Sequence, residues 1–347
     1  MAEPFVTILP FSEENLAQAL CNPLTPADKV KARKHYRYFC EYLGNTGDSL
    51  NAKTIVIEHR YVSKSYLMDY SSYYSTCFSD YSRFCKRVHF FSEELTKKGF
   101  NAAIKNLAAI ENTTIWKSYL GYIVVKPLPS IPIGATLLKT YNHTTADKRL
   151  FPSTKEYRIN LFGKELSITS LAFQEQDSVV GACASSALWS AFHKTSQLFQ
   201  TPLPSPSDIT KSAKNLFENS GRTFPNSGLD HYQIGNAIES VGLVSELRNS
   251  NKFTDTNHVK AFIYAYNKMG LPVLLGIQLE GLGKHLITIV GYKKANDLNI
   301  PRDDVKMPML STKIERFYAH DDQIGPFSKL GFNGTGDFVT SWINDAG

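Results

Sequence analysis

The chain has 347 residues, of which 42% are hydrophobic, 20% charged and 12% aromatic. A chain of this length corresponds to about two domains and buries roughly three quarters of its unfolded surface, so a disordered chain, a collagen-like fibre and a small disulfide-stabilised fold are excluded. The net charge of +6 arises in residues 1–150, which hold 19 basic and 13 acidic side chains, against 19 and 19 in residues 151–347.

Two features that the sequence lacks bear on the cellular compartment of the protein. No apolar run approaches the ~20 residues that a membrane helix needs, and the first residues lack the basic segment of a secretion signal. Five cysteines form an odd set without a Cys-x-x-Cys pair, which predicts neither a disulfide framework nor a four-thiolate zinc site. The sequence therefore predicts a cytoplasmic protein with at least one free thiol. The cysteines are Cys21, Cys40, Cys77, Cys85 and Cys183.

Residues 1–150 are predicted to form a mixed α/β N-terminal domain of unknown role. In chain order we expect a strand at 6–9, a basic helix at 26–43, a strand at 54–58, a helix with an aromatic face at 66–85 and a strand at 121–125. The aromatic stripe is predicted to be core. The basic cluster at 29–37 predicts a solvated helix face or a docking surface for an acidic protein partner, and nucleic acid is not expected.

A polar stretch at 140–147 coincides with the change in charge and sets the predicted domain boundary, with the second domain at 151–347. There, Pro and Gly residues delimit helices at 183–199, 208–219, 230–241 and 257–269. Strands follow at 272–279 and 285–292, joined by a Gly-containing hairpin loop, and a third strand is expected at 316–321. The first two strands are apolar on both faces, which predicts burial. Helices followed by an antiparallel sheet indicate an α+β fold.

Cys183 lies among small residues at the predicted start of the first of these helices. Unpaired N–H groups and the positive end of the helix dipole stabilise a thiolate there, and the thiolate is the nucleophilic form of cysteine. The alternative is a small buried core thiol. Cys183 is therefore a candidate catalytic nucleophile.

A nucleophilic cysteine needs a base, a residue that orients the base, and donors for the developing oxyanion. His285 begins an otherwise apolar strand after the Gly-rich turn and is the candidate base. Asp321, with Asp322 as its rival, ends the next strand and is the candidate orienting residue. Gln176, with Gln174 as its rival, is the candidate oxyanion donor beside the backbone N–H of Cys183.

In the order Gln176, Cys183, His285 and Asp321, the pattern resembles the papain-like cysteine peptidases. The resemblance covers roughly residues 165–335, and Val290-Gly291-Tyr292 after the histidine is most similar to the branch of bacterial leader-processing peptidases. The glutamine spacing is one residue longer than usual, and Asp322 stands where that branch commonly has proline. The resemblance implies a papain-like catalytic domain, in which the helix bearing the cysteine packs on an antiparallel sheet.

The resemblance also implies a cysteine peptidase that cleaves a peptide or isopeptide bond of a protein or peptide substrate through a Cys183 thioester, without a cofactor. No phosphate-binding glycine motif supports a nucleotide cofactor. Three alternatives use the same residues: an acyltransferase or transglutaminase, an inactive papain-like interaction module, and a zinc site. The zinc site would draw on a larger set of ligands, namely Cys183, His285, His320, Asp321 and Asp322.

Overall fold

A computed structural model provides the structure of the chain. It describes residues 5–106, 113–130, 132–141, 149–177, 183–213, 229–249, 256–279, 283–295, 310–332 and 338–340. Three predicted segments lie outside the described residues: the part of the domain-boundary stretch from residue 142 onward, the end of the helix predicted at 208–219, and the hairpin loop at 280–282.

The chain divides into two compact units, but not at one point near residue 150. The first unit comprises Met1–Asn142, Lys155–Val180 and Ser205–Ser207, and the second comprises His143–Thr154, Gly181–Pro204 and Asp208–Gly347. The predicted boundary therefore assigns 155–180 to the second domain, whereas these residues make their contacts in the first unit. Composition and charge do not report such contacts, which join segments distant in the sequence.

The first unit contains a five-stranded antiparallel sheet in the order β1-β2-β3-β4-β5 and a separate hairpin. The sheet strands are β1 (Val6–Pro10), β2 (Thr54–Tyr61), β3 (Cys85–Phe91), β4 (Tyr119–Val125) and β5 (Ile133–Leu138). The hairpin strands are β7 (Lys155–Leu161) and β8 (Lys164–Ser170). Its helices are α1 (Glu13–Leu20), α2 (Ala27–Lys31), α3 (Lys34–Leu43), α4 (Lys64–Ser72), α5 (Lys97–Lys105) and α6 (Thr113–Lys117).

The predicted basic helix at 26–43 is wrong as a single element, since it divides into α2 and α3. Arg33, just before α3, has extended backbone angles (φ −89°, ψ 146°). Its guanidinium forms an ion pair with Glu175, and Lys31 pairs with Glu14. Part of the basic cluster is thus engaged inside this unit, and a tertiary contact outweighs the local helical preference.

The continuous aromatic helix predicted at 66–85 is also wrong. Helix α4 ends at Ser72, a 3₁₀ turn covers Tyr74–Thr76, and Cys85 already belongs to β3. The serines between the tyrosines explain the break, because Ser71 and Ser75 donate to the carbonyls of Met68 and Ser71. Serine side chains offer the backbone such alternatives to helix. The stripe nevertheless forms core, with Tyr66 and Tyr74 buried against β3 and β4.

The second unit contains an antiparallel sheet in the order β13-β12-β11-β10-β6, with β9 also paired to β10. Its strands are β6 (Arg149–Leu150), β9 (Val273–Leu279), β10 (Gly283–Lys294), β11 (Ile314–Asp321), β12 (Gly325–Phe332) and β13 (Phe338–Thr340). Its helices are α7 (Cys183–Phe199), α8 (Pro206–Ser212, whose first two residues group with the first unit), α9 (His231–Ser240) and α10 (Thr256–Lys268). The predicted α+β class, the helix at 183–199 and the antiparallel β9–β10 hairpin are confirmed.

Strand β10 is central to this sheet. Ile287 and Ile289 pack with Ile263 and Tyr264 of α10, while Thr288 between them donates to the carbonyl of Ala187 in α7. Both sides of β10 are therefore covered, as its continuous apolar pattern predicts. The same expectation is wrong for β9, where Gly276 and Gln278 are exposed. Among the described helices, none is sufficiently long and apolar to cross a bilayer.

Candidate active site

Helix α7 begins at Cys183, and the thiol is free and half-buried. The next eight side chains of the helix are all buried, from Ala184 to Ala191. The hydrogen bond from Thr288 Oγ1 to the Ala187 carbonyl oxygen, 2.9 Å long, ties this first part of the helix to β10. The sulfur is consequently held at the N-terminal end of a helix that is bonded to the sheet.

His285 lies near the start of β10 and is only 4% exposed. Its Nε2 is 2.9 Å from Asp321 Oδ1, and the side chain of Cys183 is near enough to the ring to influence its pKa. Burial alone lowers the pKa of this imidazole, but the hydrogen bonds with Asp321 and Cys183 and the charges of Asp321 and Asp322 outweigh burial and raise it to about 10. At neutral pH the ring is therefore an imidazolium, with Nε2 donating to Asp321.

Asp321 is the last residue of β11 and is fixed by two donors. Its Oδ1 accepts from His285 Nε2 and, at 3.0 Å, from the backbone N–H of Gln323 in the following turn. Asp322 follows directly, with Oδ1 3.6 Å from the same Nε2 and its side chain 4% exposed. The pairing of β11 with β12 is irregular between Ala319 and Asp321, and the strand ends there, so two consecutive carboxylates reach one ring.

The structure brings together three of the four predicted site residues, Cys183, His285 and Asp321, all within the second unit. Gln176 and its rival Gln174 belong to the first unit, in the segment that follows β8. Gln174 is buried, whereas the side chain of Gln176 is half-buried. Of the two residues, Gln176 is the more exposed.

The remaining predicted zinc ligand, His320, is engaged elsewhere. Its Nδ1 accepts from the backbone N–H of Phe327 at 3.1 Å, and its ring packs edge-on against the Phe327 ring. Three groups can approach a common metal ion among the described residues: the ligand atoms of His285, Asp321 and Asp322 lie within 4.8 Å of one another. A metal ion bound there would have to displace the proton from the His285 ring. It would also take the carboxylate oxygens of Asp321 and Asp322 that otherwise face the charged ring.

Sequence reasoning missed the role of Thr288, which links the nucleophile helix to the histidine strand. The signal was a single polar residue inside the apolar run 286–290. Thr288 is fully buried, and a buried hydroxyl requires a hydrogen-bond partner. The partner itself, a carbonyl more than 100 residues away along the chain, could not be read from the pattern.

This arrangement is equipped for nucleophilic catalysis by sulfur. A cysteine beside a histidine that a carboxylate orients is the arrangement such catalysis uses, and Asp321 fixes the orientation of the His285 ring. Comparison with protein-family models, with curated proteins and with solved structures found no match to this chain.

Proposed function

We propose that the protein is a papain-like cysteine peptidase that cleaves a peptide or isopeptide bond of a protein substrate. The observation that carries the proposal is the position of His285, which lies beside the side chain of Cys183 and has its Nε2 2.9 Å from Asp321 Oδ1. Its members come from the start of a helix, the start of one strand and the end of the neighbouring strand. Nucleophile, base and orienting residue in this mutual contact are the parts that covalent acyl transfer requires.

The proposed reaction follows from a negative charge on the Cys183 sulfur and a positive charge on the His285 ring. The sulfur anion of Cys183 attacks the carbonyl carbon, and His285 gives its Nδ1 proton to the leaving nitrogen as the C–N bond breaks, which leaves a thioester. The now neutral His285 takes a proton from water, the resulting hydroxide attacks the thioester, and the thiolate departs. By the resemblance to papain-like enzymes, Gln176 and the Cys183 N–H would stabilise the oxyanion in both steps.

Two other functions use the same residues. In an acyltransferase or transglutaminase, an amine replaces water in the second half-reaction, and the first half-reaction is unchanged. An inactive interaction module would retain the fold without turnover. The position of His285 beside both Cys183 and Asp321 favours an active enzyme over the module, because the module has no need of a base next to the thiol.

The proposal predicts that Cys183 reacts with iodoacetamide far faster than the other four cysteines, since its side chain lies beside the protonated ring of His285. Mass spectrometry of the alkylated peptides measures this directly. We expect Cys183→Ala to abolish cleavage of cellular proteins, detected by comparing protein termini from cells that express wild type or variant.

Cys77→Ala is the matched control, because it also removes a half-buried free thiol. It should leave both the alkylation of Cys183 and the cleavage pattern unchanged. Slow, uniform alkylation of all five cysteines would contradict the proposal and favour the module. Stoichiometric zinc in the purified protein would favour the metal site instead.

A further inference from the structure

A buried hydrogen bond joins the helix that carries Cys183 to the strand that carries His285. Thr288 Oγ1 donates to the carbonyl oxygen of Ala187 at 2.9 Å. Thr288 is fully buried and Ala187 is 5% exposed, so water does not compete for this bond. All four residues belong to the second unit, and the bond is therefore a property of that unit by itself.

The bonded groups lie a short way along their elements from the candidate reacting groups. Ala187 is four residues, or about 6 Å, beyond Cys183 in α7, and Thr288 is three residues, or about 10 Å, beyond His285 in β10. The pairing of β10 with β9 is regular over this stretch, so His285 and Thr288 point to opposite sides of the strand. Thr288 can therefore act on the ring only through α7.

The hydrogen bond supplies a constraint that the neighbouring apolar contacts do not. Ala184, Ala187 and Leu188 are buried at the start of α7. Such contacts oppose separation of the helix from its surroundings, but they define its position along a strand poorly, because the hydrophobic effect has no direction. A hydrogen bond weakens steeply when its angle falls below about 120°. The bond from Thr288 thus defines where α7 lies along β10.

The position of α7 along β10 matters for the site because the thiol and the ring belong to these two different elements. The side chain of Cys183 is near enough to His285 to raise the pKa of its ring. The attraction between a thiolate and an imidazolium falls as their separation grows. A displacement of α7 by the rise of one residue, about 1.5 Å, is enough to weaken that attraction.

We propose that Thr288 is a positioning residue of the cysteine site. Through the Ala187 carbonyl it holds α7 at the place along β10 where the Cys183 thiol lies beside the His285 ring. This inference rests on the proposed function. Loss of the hydroxyl should weaken the stabilisation of the Cys183 thiolate, while the fold and the bond between His285 and Asp321 persist.

The test measures alkylation of Cys183 by iodoacetamide in the full chain as a function of pH. Thr288→Val keeps a similar shape and lacks the hydroxyl. We expect it to react about tenfold more slowly than wild type near pH 6, because a separation wider by about 1.5 Å costs about one pH unit of thiolate stabilisation. Near pH 10 the two rates should agree within about twofold, since both thiols are then ionised. Thr288→Ser keeps the hydroxyl and should retain the wild-type profile.

The matched control removes another buried hydroxyl that bonds to α7. Thr210 of α8 is 2% exposed, and its hydroxyl lies 2.8 Å from that of Ser185 in α7. Thr210→Val also leaves a buried polar group without its partner, so it should destabilise the fold to a similar extent. It leaves the bond between α7 and β10 intact. The pH profile of Cys183 alkylation should therefore be that of the wild type.

NMR titration of labelled histidine gives a second measurement that a purely structural role would not change. The pKa of His285, about 10 in the wild type, should fall in Thr288→Val, because the Cys183 side chain then contributes less to raising it. The bond from His285 Nε2 to Asp321 stays in place and keeps part of the effect. A pKa of His285 equal to that of the wild type would count against the inference.

Three further results would overturn it: an unchanged alkylation profile in Thr288→Val, an equal loss in Thr210→Val, or unfolding of Thr288→Val, which would indicate a structural role alone. Urea denaturation of each variant identifies the last case. Failure of the proposed function looks different, because Cys183 of the wild-type protein would then react no faster than Cys77 at any pH.

Discussion

The imidazole of His285 lies against the Cys183 thiol and two buried carboxylates. With 4% of His285, 7% of Asp321 and 5% of Asp322 exposed, water screens these charges little. Burial opposes the charge on the ring, and the carboxylates restore it. The result is a ring that keeps its proton at neutral pH.

We predict how the two aspartates divide this effect. The pKa of His285, about 10 in the wild type, should fall in Asp321→Asn, which removes both a hydrogen bond to a charged acceptor and a charge. It should fall less in Asp322→Asn, which removes only a charge at 3.6 Å. NMR titration of labelled histidine measures both, with the ring losing its proton at lower pH in each variant. Equal values in all three proteins would contradict this account.

At the scale of single elements, β10 is constrained by three neighbouring strands. It pairs with β9 along its first half, with β11 along its second half, and with the short β6 at Tyr292 and Lys293. Gly291 makes this crowding feasible. A Cβ at Gly291 would lie 2.5 Å from the Leu150 carbonyl oxygen and 2.6 Å from Phe151 Cδ1. The glycine in Val290-Gly291-Tyr292 is thus required by the close approach of the segment containing β6.

Gly291→Ala should therefore destabilise the protein by about 1–3 kcal/mol, the usual cost of overpacking. The matched control is Gly276→Ala in the adjacent strand β9, where a Cβ meets nothing closer than Leu286 Cδ1 at 3.9 Å. That variant should be neutral or slightly stabilising, because alanine restricts the unfolded chain. Urea denaturation measures both free energies of unfolding. Similar values for the two variants would show that the contact with Leu150 is not limiting.

At the scale of the whole molecule, each of the two units is built from several separate stretches of the chain. The hairpin β7–β8 and the segment after it lie between two parts of the second unit in sequence, yet they bond to the first. Ser170 Oγ donates to the Leu138 carbonyl at 2.6 Å, and Thr136 and Phe173 exchange backbone hydrogen bonds. Cutting the chain near residue 150 would leave these groups without partners.

We therefore predict that a fragment comprising residues 151–347, the domain suggested by the sequence, does not fold cooperatively. Ser170 and Phe173 would lose their hydrogen-bond partners Leu138 and Thr136, and the buried side chains of Leu171 and Phe173 would be exposed to water. The full chain should give one or more sharp urea transitions, and the fragment a broad, shallow one. A fragment as stable as the full chain would contradict this prediction and the chain division behind it.

Local sequence patterns were sufficient to predict several helices and strands of the second unit. The start of α7 at Cys183 and the strands on either side of the hairpin loop follow from small residues, glycine punctuation and apolar runs, which act over a few residues. The choice of His285 followed similarly, because a polar ring at the start of an apolar strand has no local explanation. The papain-like identity of the domain stays a prediction.

The sequence by itself thus determined the α+β class, the helix that begins at Cys183 and the two strands of the β9–β10 hairpin. Tertiary structure alone decided that both Asp321 and Asp322 approach His285, that Arg33 interrupts a helix to reach Glu175, and that residues 155–180 join the first unit. The physical reason is the separation along the sequence over which each kind of interaction acts. Helix and strand signals are summed over neighbours in the chain, whereas ion pairs and buried hydrogen bonds depend on distances between residues far apart in sequence.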